Sequence, residues 1–194
     1  MARLLVLLVV CAPAVAHAQP PGLTDTIPQA AIDGRDTSRV MVGAGGAVFA
    51  SYPMSMEDPG VALFAAKPLW LGNRYRFFQW SADVNALLGV GTEERNGYLL
   101  AGAQFGPNFY LGGVFGLEFR FGLDGMVQVG EHSVAGLTIG GGGAYVFRFW
   151  DDDRKRIKLL MQMHFGGYFA NDPDNDLGMN AGAISLGLGY ETPI

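Results

Sequence analysis

A two-residue alternation of apolar and polar side chains is the feature that most constrains the fold of this chain. Residues 114–130 place Phe, Leu and Val mostly at odd positions, and Glu118, Arg120, Asp124 and Gln128 at even positions. Successive side chains of a β-strand point to opposite faces of a sheet. The pattern therefore predicts a strand with one apolar face and one polar face.

The same period recurs along the chain from residue 39 and predicts eight strands. The candidate strands are 39–50, 60–71, 74–91, 97–111, 115–130, 133–149, 157–170 and 177–190. The second has the weakest pattern, because Pro68 lacks a backbone N–H and proline is confined to edge strands or irregular pieces.

The connections between these strands are short enough to be hairpins. An even number of strands joined in order by hairpins predicts an up-and-down antiparallel meander. Closure of the meander into a barrel removes its two unpaired edges. We therefore expect an all-β fold, a closed antiparallel barrel of eight strands formed by residues 39–194.

The first 18 residues predict a secretory signal peptide. An apolar run over residues 4–10 follows Arg3, and small residues stand on both sides of His17. We expect cleavage after Ala18. The apolar run is too short for a membrane anchor, which would need about 20 apolar residues. The leader also lacks the small residue that a lipoprotein signal would place before Cys11. Residues 19–38 are polar and proline-containing without a period, which predicts a flexible tail.

Composition and volume indicate which face of the barrel meets solvent. The chain is 49% hydrophobic and 16% charged, against roughly 25% charged residues in soluble domains. An eight-stranded barrel has room inside only for side chains, so the bulky set would overfill it, whereas glycine, serine and a few charged residues would fit. A bulky face in water would exceed the few hundred Å² of apolar patch that a soluble monomer tolerates.

The bulky face is thus expected to contact lipid, which makes the barrel transmembrane. The alternative is a soluble, lipocalin-like or fatty-acid-binder-like barrel with the bulky face inside. That arrangement would leave many glycines and few charges in water. The net charge of -5 gives no basic surface for nucleic acid.

Aromatic residues cluster near the end of the barrel with the shortest turns, which predicts an interfacial girdle. Its members are Trp70, Tyr75, Phe78, Trp80, Phe109, Phe115, Phe147, Phe149, Trp150 and Tyr190. A smaller set is expected at the other rim: Phe49, Tyr52, Tyr98, Tyr168 and Phe169.

With its leader, its alternating strands and a last strand that ends on Tyr190, the chain resembles the small eight-stranded outer-membrane barrels, the OmpA-, OmpX- and OmpW-like proteins. The resemblance implies a Gram-negative outer membrane, with both termini, the tail and the short turns in the periplasm. It also implies contact with outer-membrane lipid and lipopolysaccharide, and with the assembly machinery that recognises the last strand. In that group the final aromatic is at or near the last residue, whereas Glu191-Thr192-Pro193-Ile194 follows Tyr190 here.

Polar residues on the inward faces predict one lumenal network. Its members are Asp83, Gln104, Glu118, Arg120, Arg148 and Lys158, with Gln162 and His164 above them. Counting from the turns places Asp83 near Gln104 or Gly106, Glu118 near Gly106, and Arg148 opposite Lys158. The network could plug the lumen or line a narrow conduit, and the small radius favours a plug.

No catalytic, metal or cofactor site is predicted. Some outer-membrane lipid A deacylases and acyltransferases use His, Ser and an acid at the outer rim, and Glu131-His132-Ser133 lies there. Neighbours in a strand point to opposite faces, however, so this triplet converges only if the loop bends it. His164 has no second ligand at fixed spacing, and the acidic loop 171–176 lacks the spacing of an EF-hand.

The sequence therefore predicts a non-enzymatic outer-membrane barrel with a structural or surface-interaction role. A narrow channel for small or apolar solutes is the alternative, followed by a lipid-modifying enzyme.

Overall fold

A computed structural model describes residues 37–52, 56–75, 77–111, 115–148, 155–169 and 181–194, with the backbone alone at 56, 73–75 and 148. These residues form eight strands: β1 (Arg39–Ser51), β2 (Met56–Tyr75), β3 (Phe78–Gly91), β4 (Gly97–Leu111), β5 (Phe115–Val129), β6 (Val134–Arg148), β7 (Arg156–Tyr168) and β8 (Ala181–Pro193). The predicted signal peptide, the predicted tail up to residue 36 and the acidic loop 171–176 lie outside the described residues. No helix in the described part of the chain is long and apolar enough to cross a membrane.

Each strand pairs antiparallel with the next, and β8 pairs with β1, so the sheet is a closed barrel. The predicted fold class and number of strands are confirmed. The paired residues can be followed from strand to strand around the barrel, from Ala50 on β1 through Gly182 on β8 to Lys67 on β2. Continuing the register of β1 and β2 by one residue places Lys67 level with Val40. The register therefore advances by ten residues in one circuit. Such a stagger tilts the strands by roughly 35–45° and leaves a bore that side chains can fill.

Strand β2 is irregular at Pro68, as expected, but it is longer than the sequence predicts. With 20 residues it is the longest of the described strands. Its pairing with β3 shifts register between Pro68 and Trp70 and again between Leu71 and Arg74. Such a bulge accommodates the missing N–H of proline without ending the strand.

The outer face of the barrel is bulky and apolar, as the alternation predicts. Ile139 is 72% exposed, Phe121 67% and Leu188 61%, whereas Asp124 and Gln128 on the inner face are fully buried. In β5 the odd positions point outward and the even positions point into the lumen.

The lumen nevertheless holds several large side chains, although the volume argument expected mainly glycine, serine and a few charged residues there. Phe49, Tyr98 and Tyr168, expected at the rim, are buried inside the barrel. Phe49 fits because it lies over Gly89, where an added Cβ would collide with its ring. A bulky residue on β1 and a glycine on β3, two strands away, share the volume that two ordinary residues would take.

Strand β8 is longer than expected. The sequence pattern ended it at Tyr190, but it continues to Pro193, which pairs with Arg39. The extension follows from the stagger of the strands, because the first residues of β1 extend far enough to pair with Glu191 and Thr192. It carries Glu191 into the lumen.

Candidate functional site in the barrel lumen

Charged side chains form a layer across the lumen near the mouth at which β1 begins and β8 ends, here called the terminal mouth. We call it the ion-pair layer; its members are Arg39, Asp83, Glu118, Arg120, Arg156, Lys158 and Glu191. On one side Arg120 Nε lies 2.5 Å from Asp83 Oδ2, and Arg120 Nη2 lies 3.5 Å from Glu118 Oε2. These contacts join β3 to β5.

The layer continues through Lys158 on β7. Its Nζ lies 2.9 Å from Glu118 Oε2 and 2.5 Å from Glu191 Oε2. Glu191 Oε1 lies 3.2 Å from Arg39 Nη1 and 3.5 Å from Arg156 Nη1. The ion pairs thus reach from β3 through β5, β7 and β8 to β1.

The layer is buried, with side-chain exposures from 3% at Glu191 to 14% at Asp83. Four cations face three carboxylates in it. Burying a charge is costly unless a partner of opposite sign is close. Loss of one member should therefore destabilise the layer more than the joint loss of a pair. A cleft of about 320 Å³, including open solvent, lies at this layer.

Asp124 and His164 meet deeper in the barrel, and both side chains are fully buried. His164 Nδ1 lies 3.0 Å from Asp124 Oδ2, and Asn85 Nδ2 donates to Asp124 Oδ1 over 3.0 Å. The pair occupies a recess left by Gly140, where an added Cβ would meet both side chains.

Four apolar side chains fill the lumen towards the opposite mouth: Phe49, Leu87, Leu100 and Met126. We call them the apolar layer, and each is at most 1% exposed. The ring of Tyr98 stacks on Phe49 with centroids 4.2 Å apart. Packed hydrocarbon therefore occupies this part of the lumen.

Beyond the apolar layer, a buried carboxylate holds the connection between β3 and β4. Asp58 Oδ2 accepts a hydrogen bond of 2.9 Å from Tyr98 Oη, and Asp58 Oδ1 accepts bonds of 3.1 and 3.3 Å from the backbone N–H groups of Glu93 and Glu94. The connection is thus anchored to β2.

The structure places most members of the predicted lumenal network inside the barrel. Four of them meet in the ion-pair layer: Asp83, Glu118, Arg120 and Lys158. Gln104 is buried and pairs in register with Asp83, as expected. Gln162 and His164 follow Lys158 along the inward positions of β7, farther from the terminal mouth. Their shared role in closing the lumen stays a prediction.

Two register expectations need correction. Arg148 pairs with Arg156 rather than with Lys158, because β7 begins at Arg156 and the pairing of β6 with β7 is shifted by two residues from the expected register. The side chain of Arg148 is outside the described residues. Glu118 stands opposite Asn108 rather than near Gly106.

Sequence reasoning missed three members of the ion-pair layer, namely Arg39, Arg156 and Glu191. All three stand at strand ends, where the pattern was taken to stop or start. The signal was present in β8, because Glu191 continues the inward series of odd positions through Gly187 and Gly189. It would have been found by extending the parity past Tyr190.

The predicted girdle residues with described side chains lie on the outer face. Trp70, Trp80, Phe115, Phe147 and Tyr190 are 39–49% exposed. Several girdle members stack or lie edge to face, as do Phe115 and Phe147 at 5.3 Å. Phe78 and Phe109 are half-buried against each other at 6.3 Å. The side chain of Tyr75 and residues Phe149 and Trp150 lie outside the described residues.

The Glu131-His132-Ser133 triplet is exposed at the mouth opposite the termini. The His132 ring lies edge-on to Tyr52 at 6.3 Å, and the His132 carbonyl accepts a hydrogen bond of 3.4 Å from Gln128 Nε2. Within the described ranges, no group of three or more His, Cys, Asp and Glu residues is placed to hold a metal ion.

Comparison with known proteins shows a likeness of fold. No family model and no curated protein sequence matches the chain. The structure is similar to that of Neisserial surface protein A, with a TM-score of 0.52, 12% identity, and 80% of this chain and 96% of that chain covered. It is equally similar to the outer membrane enzyme PagL, with a TM-score of 0.52, 14% identity and coverages of 80% and 99%. These likenesses confirm the predicted resemblance to small eight-stranded barrels at the level of the fold.

Proposed function

We propose that this chain is an outer-membrane β-barrel protein with a structural or surface-interaction role and a lumen closed to solutes. One observation carries the proposal: the charges of the barrel wall point mainly inward, while its outer face is apolar. Exposed Ile139, Phe121 and Leu188 would be costly in water and favourable in lipid. A soluble barrel of the lipocalin kind would have the opposite distribution.

One outward charge fits this proposal. Lys67 is exposed on the outer face of β2, close in sequence to the exposed girdle residue Trp70. A lysine near the membrane interface keeps its hydrocarbon stem among apolar neighbours and extends its ammonium group to the headgroups. The girdle and Lys67 together would set the height of the barrel in the bilayer.

The proposed location follows from the predicted leader and from the topology. Cleavage after Ala18 would leave the chain outside the inner membrane, and the terminal mouth would face the periplasm. The outward residues of β8, which include Leu186, Leu188 and Tyr190, supply the apolar and aromatic series expected for recognition by the assembly machinery. Outer-membrane lipid and lipopolysaccharide would surround the outer face, and the connections at the opposite mouth would meet surface partners.

Closure of the lumen is proposed from its two layers. The ion-pair layer crosses the bore near the terminal mouth, and the apolar layer fills it farther along. The ion pairs would support the barrel wall by joining strands that are not neighbours in the sheet. A narrow channel, the alternative, would require a continuous polar path through both layers.

Two measurements test this function. The chain from the membrane fraction, kept unboiled in detergent, should migrate anomalously on a gel relative to the boiled chain, and its mass should correspond to a start at Gln19. Reconstituted in planar bilayers, it should show no conductance steps. Recovery of the monomeric chain from periplasmic extract without detergent would contradict membrane insertion, and regular conductance steps would support the channel instead.

A further inference from the structure

The lumen between the ion-pair layer and the apolar layer contains buried polar atoms without hydrogen-bond partners among the described residues. Four buried polar atoms in this interval have no hydrogen-bond partner among the described residues: Asn85 Oδ1, Gln104 Nε2, Ser185 Oγ and His164 Nε2. An unsatisfied buried donor or acceptor costs about 1–3 kcal/mol. The four therefore mark a region in which another hydrogen-bonding molecule is needed.

These atoms belong to strands on opposite walls of the bore. Asn85 and Gln104 stand on β3 and β4, whereas His164 and Ser185 stand on β7 and β8. In a closed barrel of eight strands, strands four apart lie on opposite walls. Gln104 Nε2 can only donate, Asn85 Oδ1 can only accept, and the hydroxyl and imidazole nitrogen can do either. This mixture suits water, which typically makes about three hydrogen bonds at a buried site.

Among the residues that the structure describes, the unsatisfied atoms continue towards the terminal mouth. Arg39 Nε and Asn108 Oδ1, near the terminal mouth, also lack hydrogen-bond partners among the described residues. On the other side of the apolar layer, polar side chains such as Asp58 and Asn96 make hydrogen bonds within the protein. Polar atoms without a partner among the described residues thus occur from the terminal mouth to His164.

We propose that water molecules fill the lumen from the terminal mouth through the ion-pair layer to the Asp124–His164 pair, which makes this pair a proton-accessible site open to one side only. The apolar layer, rather than the ion-pair layer, is then the barrier to water and protons. This inference rests on the proposed function in that the two mouths must face opposite sides of a bilayer.

The first test measures proton flux into vesicles that contain a pH-sensitive dye. The wild-type protein should preserve a pH gradient. The double variant Phe49→Ala/Leu100→Ala, which opens the apolar layer and leaves every ion pair intact, should dissipate it. The matched variant Phe64→Ala/Leu160→Ala removes equivalent inward side chains outside the apolar layer and should preserve the gradient.

Folding and insertion of each variant are verified by anomalous gel mobility and by retention in the vesicles. An inserted Phe49→Ala/Leu100→Ala variant that still holds the gradient would overturn the inference, and so would equal leakage from both double variants. Failure of the wild-type chain to enter vesicles would instead count against the proposed function.

A second test uses the unaltered protein in detergent and does not depend on a folded variant. Magnetisation transfer from water in nuclear magnetic resonance spectra should reach the ring protons of His164 and the side-chain amide of Gln104. It should not reach the methyl group of Met126 in the apolar layer. Absence of transfer at His164 and Gln104 would overturn the inference even if the chain spans the membrane as proposed.

Discussion

Replacement of Arg120 by leucine should strongly destabilise the barrel. Arg120 forms an ion pair with Asp83, and the two side chains are 11% and 14% exposed. Removal of one partner from a buried ion pair costs about 3–5 kcal/mol, because the remaining charge stays buried without compensation. Glu118 would keep Lys158 at 2.9 Å, so the loss should come mainly from Asp83. Because about 1.4 kcal/mol corresponds to a factor of ten, this loss should raise the equilibrium constant for unfolding by roughly two to four powers of ten.

The measurement is equilibrium unfolding in urea from phospholipid vesicles, with the fraction of folded barrel read from gel mobility. The double variant Asp83→Leu/Arg120→Leu is the matched control. It removes both charges and should lose less stability than Arg120→Leu alone, because well-packed apolar replacements of a buried pair are often close to neutral. A single variant within about 1 kcal/mol of wild type, or a double variant less stable than the single one, would refute the assignment of Arg120 as the compensating charge.

Further substitutions test the recess and the outer face by the same unfolding measurement. Gly140→Ala should lower the free energy of unfolding by about 1–3 kcal/mol, because its Cβ would displace His164. Gly125→Ala is the control and should be nearly neutral, because its Cβ meets nothing nearer than 3.8 Å. Equal losses would contradict the assignment of Gly140 as the recess that holds the Asp124–His164 pair. Leu186→Lys on the outer face should cost up to about 2–4 kcal/mol in lipid, depending on its depth. Lys67→Leu should cost nothing, and a marked loss there would contradict a lipid-facing position.

The alternation predicted the faces of most strands because burial of one face leaves a direct period-two record in the sequence. It was less informative for β1, where small residues occupy both faces around Gly45 and Gly46. Phe49 was therefore expected only as one of the aromatic residues at the rim. Its actual position depends on Gly89, which stands on β3, two strands away. Such complementarity between distant residues is decided by register and stagger, which no single stretch of sequence contains.

The candidate site was predictable in part for a related reason. Arg120 and Lys158 lie within strongly alternating strands, so parity alone places them in the lumen. Arg39 and Glu191 lie at the ends of strands whose length is set by the neighbouring strand, as their pairing across β1 and β8 shows. Counting from the turns also fails when the register differs by two residues, as it does for Arg148, which pairs with Arg156 rather than with Lys158.

The buried charges also specify the register that closes the barrel. A slip of one residue between β8 and its neighbours would turn Glu191 outward and bring Tyr190 into the bore, because the side-chain period is two. Glu191 would then leave the cations Arg39 and Lys158 with one carboxylate fewer, at a cost typical of breaking a buried pair. A slip of two residues would keep the faces but separate Glu191 from Lys158. The apolar outer face cannot make this second distinction, since Leu186, Leu188 and Tyr190 are interchangeable in lipid to a first approximation, so correct closure depends on the ion pairs inside.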